Sequence, residues 1–212
     1  MACAICQTRR PRRFCPGVRG EICSICCGTE REISVDCPID CEYLRAAHIH
    51  EKALPVDPET LPNRDVAVSE TFLREHEEFL VYLGSSLARA ALRNPEVVDY
   101  DIREALDAAV RTQRTLQSGL YYESLPANPL AAGLARELQQ AVAGFRQQEF
   151  ERLGIHKTRE SVTLSLLVFL QHFEISYNNG RRRGRAFLDA LRDFYPVEPE
   201  SEPPSAPSLI LP

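Results

Sequence analysis

The sequence predicts a mainly α protein in which a small N-terminal zinc-binding module precedes a five-helix bundle. Three observations carry this. All eight cysteines of the 212 residues fall within the first 41. Between residues 65 and 196 the apolar spacing is helical, with no competing strand alternation. Two proline-containing stretches, 47–64 and 197–212, punctuate the chain. The expected organisation is therefore a cysteine-rich module at 1–46, a linker at 47–64, a helical bundle at 65–196 and a disordered Pro-rich tail at 197–212.

The first element is read from cysteine spacing. Cys3-x2-Cys6 and Cys23-x2-Cys26 are two short loops, each able to present two thiolates to one ion, and they lie only a loop apart. A tetrahedral zinc ion needs four such ligands, so these two pairs make the first expected site. Cys15, Cys37 and Cys41, with Cys27 as the fourth ligand, would make a second, and the cofactor is one or two Zn2+ ions. His48 and His50 follow Cys41 on a short helical stretch and read as surface histidines rather than ligands. An iron–sulfur cluster takes the same four thiolates, and spacing alone leaves it open. Disulfides suit a secreted domain, but the first residues, MACAICQTRRPRRF, lack the apolar run of a signal peptide. A cytoplasmic location follows as an expectation.

The stretch CAICQTRRPRRFCPGVRGEICSIC resembles treble-clef-type and HIT-type zinc fingers, with C-x2-C, an aromatic before Cys-Pro, and then C-x2-C. At Val18 the HIT pattern has a further cysteine, a place that Cys27 would have to fill. The longer signature FCP…ICSICCGTERE…CPIDCEYL, with LVFLQ…NNGRRRGRAFLDALR downstream, resembles an uncharacterised bacterial family with an N-terminal cysteine-rich module and a helical domain. HIT-type fingers serve mainly in protein assembly, so that resemblance implies interaction more than chemistry.

Charge fits metal binding. Residues 1–20 hold Arg9, Arg10, Arg12, Arg13 and Arg19 and no acid. Cations there favour thiolates and hence metal at neutral pH. The whole chain is acidic, at −5, which argues against a dominant nucleic-acid face, although the basic loop Arg9–Arg13 keeps that alternative open.

The bundle follows in order. A first helix is expected from Val66 to Arg93, its stripe running through Phe72, His76, Phe79, Leu83 and Leu87 until Asn94-Pro95 stops it. Asp101-x-x-Glu104 reads as the capping box of the second, which Gly119 closes. Leu130 to Leu153 form the third, ended by Gly154. The fourth, Val162–Tyr177, is apolar nearly all round and should be the central, most buried helix. Phe187, Leu188, Leu191 and Phe194 give a short fifth before Pro196. With its own core and no cysteine, the bundle is expected to fold and melt by itself.

Nothing in this region reads as an enzyme. No inward-facing Glu-x-x-His pair, G-x-S-x-G, Walker loop or dinucleotide fingerprint occurs. His76 and His172 fall on apolar faces and read as hydrogen-bonded core residues, and Tyr121-Tyr122 as turn packing. One further constellation stands out: Arg181, Arg182, Arg183 and Arg185 open the fifth helix, where the helix dipole disfavours cations, so together they read as a possible anion site. The alternative is a solvated turn paired with Glu174 or Asp189. Leu209-Ile210-Leu211 is an exposed apolar tip. No run of apolar residues is long enough to span a membrane. The chain therefore reads as a zinc-binding, non-enzymatic interaction or scaffold protein with protein partners and no small-molecule substrate. A nucleic-acid-associated regulator and a thiolate-based redox or zinc sensor are the alternatives.

Overall fold

The computed structural model describes residues 2–51, 55–120, 122–195 and 197. Tyr121 and residues 198–212, including Leu209-Ile210-Leu211, lie outside them.

The N-terminal region is built on a hairpin and two short helices. Strands β1 (Arg13–Cys15) and β2 (Gly20–Ile22) pair antiparallel, with Phe14 opposite Glu21. Helix α1 (Ser24–Glu30) starts directly after β2, and Cys23 is its N-cap, accepting from the Cys26 N–H. Helix α2 (Glu42–His50) follows a loop and runs across the expected boundary at residue 46. This region's buried interior is mostly sulfur: Cys3, Cys15, Cys23, Cys26 and Cys37 surround Ile22, Val35 and Leu44. Three apolar side chains are too small a core to hold forty residues in place, so cross-linking is needed.

The bundle contains α3 (Glu70–Glu75), α4 (Glu77–Leu92), α5 (Asp99–Gln117), α6 (Pro129–Leu153), α7 (Glu160–Tyr177) and α8 (Ala186–Phe194). The expected first helix is broken in two. Ser69 caps α3 through the Phe72 N–H, and His76 leaves helical geometry with its ring against Phe72, 4.7 Å between centroids. Helix α5 begins earlier than expected. Asp101 is not its N-cap but accepts the Val98 N–H at 2.9 Å from inside the first turn. Asn128 caps α6, with Pro129 following it, and Gly154 at φ 71° ends it, a left-handed position that glycine takes without steric cost.

Helix α5, not α7, is the central helix. It packs on α6, α7 and α8, whereas α7 packs chiefly on α5 and α8 and leaves Phe169 and Phe173 partly buried. The aromatic side of α7 is covered by a ladder of rings: Phe173 meets Tyr177, Phe187, Phe194 and Tyr195 edge-on. The core combines Leu83, Leu87, Ile102, Leu106, Leu138, Leu166, Leu170 and Phe187. Each such side chain contributes about 1.5–3 kcal/mol when withdrawn from water. Gly84 lets α4 approach the end of α8: a Cβ there would lie 2.5 Å from the Tyr195 ring. No described helix is long and apolar enough to cross a membrane.

The segment read as a linker lies along the bundle. The Pro62 carbonyl accepts from His172 at 2.6 Å, and Asn63 bonds Gln171 at 2.7 Å and Arg114 at 2.9 Å. His172 is thus hydrogen-bonded and half-buried, as its apolar helix implied.

Candidate metal centre

The first cysteine pair sits on a tight loop before the hairpin. The Gln7 N–H closes it onto the Cys3 carbonyl at 2.8 Å, and Gln7 takes a left-handed φ of 55°. Backbone bonds from Ala4 to Glu21 and from Arg12 to Ile22 fix this loop against β2. The second pair lies at the start of α1, where Cys23 caps the helix and Cys26 occupies its first turn. Loop, hairpin and helix together bring the sulfurs of Cys3, Cys6, Cys23 and Cys26 within 4.8 Å of one another. Cys3, Cys23 and Cys26 are buried.

The electrostatics of these sulfurs call for a cation. Burial works against the Cys3 thiolate, but donation from the Cys6, Cys23 and Ile5 N–H groups outweighs it and lowers its pKa. The Thr8 side chain, with the Thr8 and Arg9 N–H groups, lowers Cys6 to about 5. Cys26 moves the other way. Burial, together with the neighbouring sulfurs of Cys23, Cys6 and Cys3, pushes it up to about 12. Four adjacent thiols therefore cannot all ionise unaided, whereas a divalent ion between them offsets the repulsion and takes all four as ligands. Arg9 lies beside the cluster, where the Cys23 sulfur and the charges of Cys6 and Cys26 raise its pKa. Four sulfurs this close could supply every ligand of a tetrahedral ion, the closed arrangement of a structural zinc site.

The other four cysteines do not form a second group of that closeness among the described residues. Cys15 ends β1, Cys27 lies in α1 with Arg13 Nη1 3.8 Å from its sulfur, Cys37 is in the following loop, and Cys41 is the N-cap of α2. Burial pushes the Cys37 thiol up to about 11, and the charges of Cys15 and Cys41 add to this. Arg13 also lies 3.8 Å over the Tyr43 ring. Arg9, Arg10, Arg12 and Arg19 remain exposed.

His50 is exposed, as expected, but His48 is not an ordinary surface residue. Its side chain is 7% exposed and bridges two carboxylates, with Nε2 3.1 Å from Glu32 and Nδ1 3.0 Å from Asp189. Burial alone would favour the neutral ring, but those carboxylates raise its pKa to about 9. Glu32, His48 and Glu51 also bring their ligand atoms within 4.8 Å of one another. Arg181 occupies that cluster, at 3.2 Å from Glu32 and 2.7 Å from Glu51, so a cation is already in place there.

The arginine loop is divided, with Arg185 turned inward and Arg182 and Arg183 exposed. Arg185 is 2% exposed and donates to Asp36 at 2.7 Å and to the carbonyls of Cys37, Pro95 and Val97. Arg183 lies 3.7 Å from Asp36. Arg182 is exposed and has no polar partner among the described residues. The expected partners are engaged elsewhere, Glu174 with Arg103 and Asn178, and Asp189 with His48 and Arg192. The N-terminus of α8 is capped by Asp99 of α5, which accepts the Phe187 and Leu188 N–H groups at 2.9 and 3.0 Å while its burial pushes the carboxyl up to about 7. A second helix thereby caps α8, and its own arginines are free to reach the cysteine-rich region. Sequence reading missed Glu32, Asp36 and Asp99, which carry no motif of their own.

Comparison of the chain with protein-family models, curated proteins and solved structures finds no match.

Proposed function

We propose that this chain is a structural-zinc protein that acts through interaction rather than catalysis. The observation that carries the reading is the group of four thiols, from a tight loop and a helix start, within 4.8 Å of one another. A site closed by four sulfurs leaves no position for substrate or activated water, which favours a structural over a catalytic ion. The cysteine-rich region also exposes large apolar side chains, Phe14, Ile25 and Ile33, as a surface that binds protein partners does. Elemental analysis of the purified protein tests the metal: one zinc per chain is expected, and iron with sulfide would replace this reading by an iron–sulfur centre. A stable complex captured by the metal-loaded but not the chelated protein would support the interaction role.

The exposed Arg9, Arg10, Arg12 and Arg19 beside Phe14 favour one alternative, a nucleic-acid-associated regulator. Affinity for RNA or DNA that falls steeply with salt would establish it, because each phosphate contact releases a counterion.

A further inference from the structure

The metal cluster and the arginine loop are joined by a short, buried path. Cys26 and Glu32 are six positions apart, and α1 with its closing turn links them. The turn is tight: the N–H groups of Ile33, Ser34 and Val35 all meet the Glu30 carbonyl, and Glu32 takes a left-handed φ of 56°. For a side chain with a Cβ that backbone costs about 1–3 kcal/mol, and it persists only where surroundings enforce it. The surroundings here are the bundle. The Glu32 carboxylate is wholly buried and accepts the Arg185 N–H at 2.6 Å, Asn179 at 2.8 Å and Arg181 at 3.2 Å, with His48 at 3.1 Å. The Glu32 carbonyl accepts the Arg183 N–H at 2.8 Å.

The two sides of this contact are anchored very differently. The loop side is held by the bundle itself, through the Asp99 cap, the Asp99 N–H to the Gly184 carbonyl at 2.8 Å, and Arg185 on the Pro95 and Val97 carbonyls. Glu32 and Asp36 come from a region whose interior is mostly cysteine. Its position depends on whatever binds the sulfurs together.

We propose that metal in the Cys3, Cys6, Cys23 and Cys26 cluster holds Glu32 and Asp36 as a cap over the α7–α8 loop, so that metal loss lifts the cap and releases Arg181 and the already half-exposed Arg183 from their carboxylates. The inference rests on the zinc reading of that cluster. With metal bound, the two guanidiniums face Glu32, Glu51 and Asp36; without it they face water. The coupling is reciprocal by linkage, so weakening the cap must also weaken metal binding, although no capping residue is a ligand.

Hydrogen exchange on the full chain tests this, because the Arg183 and Arg185 N–H groups both donate to Glu32. Zinc-loaded and chelated samples are compared, with zinc content measured on each. Removing zinc should speed exchange at these two amides by about 5- to 150-fold, while Leu106 and Leu166 in the bundle core stay unchanged. In the second arm, Glu32→Gln should lower zinc affinity by a factor in the same range, about 5- to 150-fold. Zinc loss that leaves both amides as protected as before, or a Glu32→Gln chain that binds zinc as tightly as wild type, overturns the inference and leaves the metal site standing. A chain that takes up no zinc overturns the metal reading and the inference together.

Discussion

The two regions of this molecule answer the same thermodynamic problem with different means. The bundle buries leucines, valines, alanines and phenylalanines from five helices. The cysteine-rich region has Ile22, Val35 and Leu44 as the non-cysteine members of its buried interior and stations thiols where the bundle has leucines. A core of that size cannot offset the chain entropy of its loops. What the bundle obtains from apolar area, the N-terminal region would obtain, on the proposed zinc reading, from ligand bonds and from polar contacts lent by its neighbour. The comparison teaches that the cysteine-rich region is in hydrogen-bonded contact with the bundle. It is seated on the bundle through Glu32, Asp36 and His48.

The sharpest way to break the comparison is to remove a ligand. Cys23→Ser should abolish metal binding and ordered structure in the first forty residues, because structural zinc contributes on the order of 10 kcal/mol of folding free energy. Elemental analysis and amide spectra check it, and a variant that stays ordered without metal would equalise the two regions. The bundle should respond to the opposite kind of change. Leu106 is fully buried on the central helix, and Leu106→Ala should cost about 2–5 kcal/mol in denaturant unfolding. Zinc content of the folded protein should not change.

Much of this contrast was legible in the sequence, and what was not has a physical reason. The two C-x2-C pairs announced the four-cysteine cluster because ligand spacing is local. The stop at Gly154 is likewise local, and helices form in all five stretches of helical period, although the first is broken at His76 and α5 starts early. The Asp101 cap and the break at His76 are local misreadings, and the larger errors concern tertiary partners. Arginines at the start of α8 looked misplaced because the compensating Asp99 comes from another helix. His48 looked exposed because its two carboxylates lie 16 and 141 positions away. The apolar surround of α7 suggested the centre of the bundle, but α5, with acids and arginines on its outer face, has more helices against it. A hydrophobic pattern shows how much surface is covered, not what covers it.

The seat between the regions offers the next test, intermediate in size. Arg185→Ala would leave three backbone carbonyls without their buried donor and loosen the half-exposed Asp36, and should cost about 1–3 kcal/mol. Proteolysis of both regions, rather than of one, would then accelerate.

His48 sharpens the comparison through pH. Its proton is held up to about 9 in the folded chain against an ordinary 6.5, so the folded state binds it more tightly than the unfolded state. That stabilisation is complete below pH 6.5 and lost as pH rises through 9. Melts across this window should show a decline that His48→Gln removes. The smallest effect belongs to Arg182, exposed and without a polar partner among the described residues: Arg182→Ala should change stability by less than about 0.5 kcal/mol.

The central claim is that four sulfurs, and no other atoms, hold one ion. X-ray absorption at the zinc edge of the metal-loaded protein tests it most directly. Four sulfur neighbours at about 2.3 Å are the result this geometry predicts. A first shell containing nitrogen or oxygen, or one with fewer than four sulfurs, would contradict it.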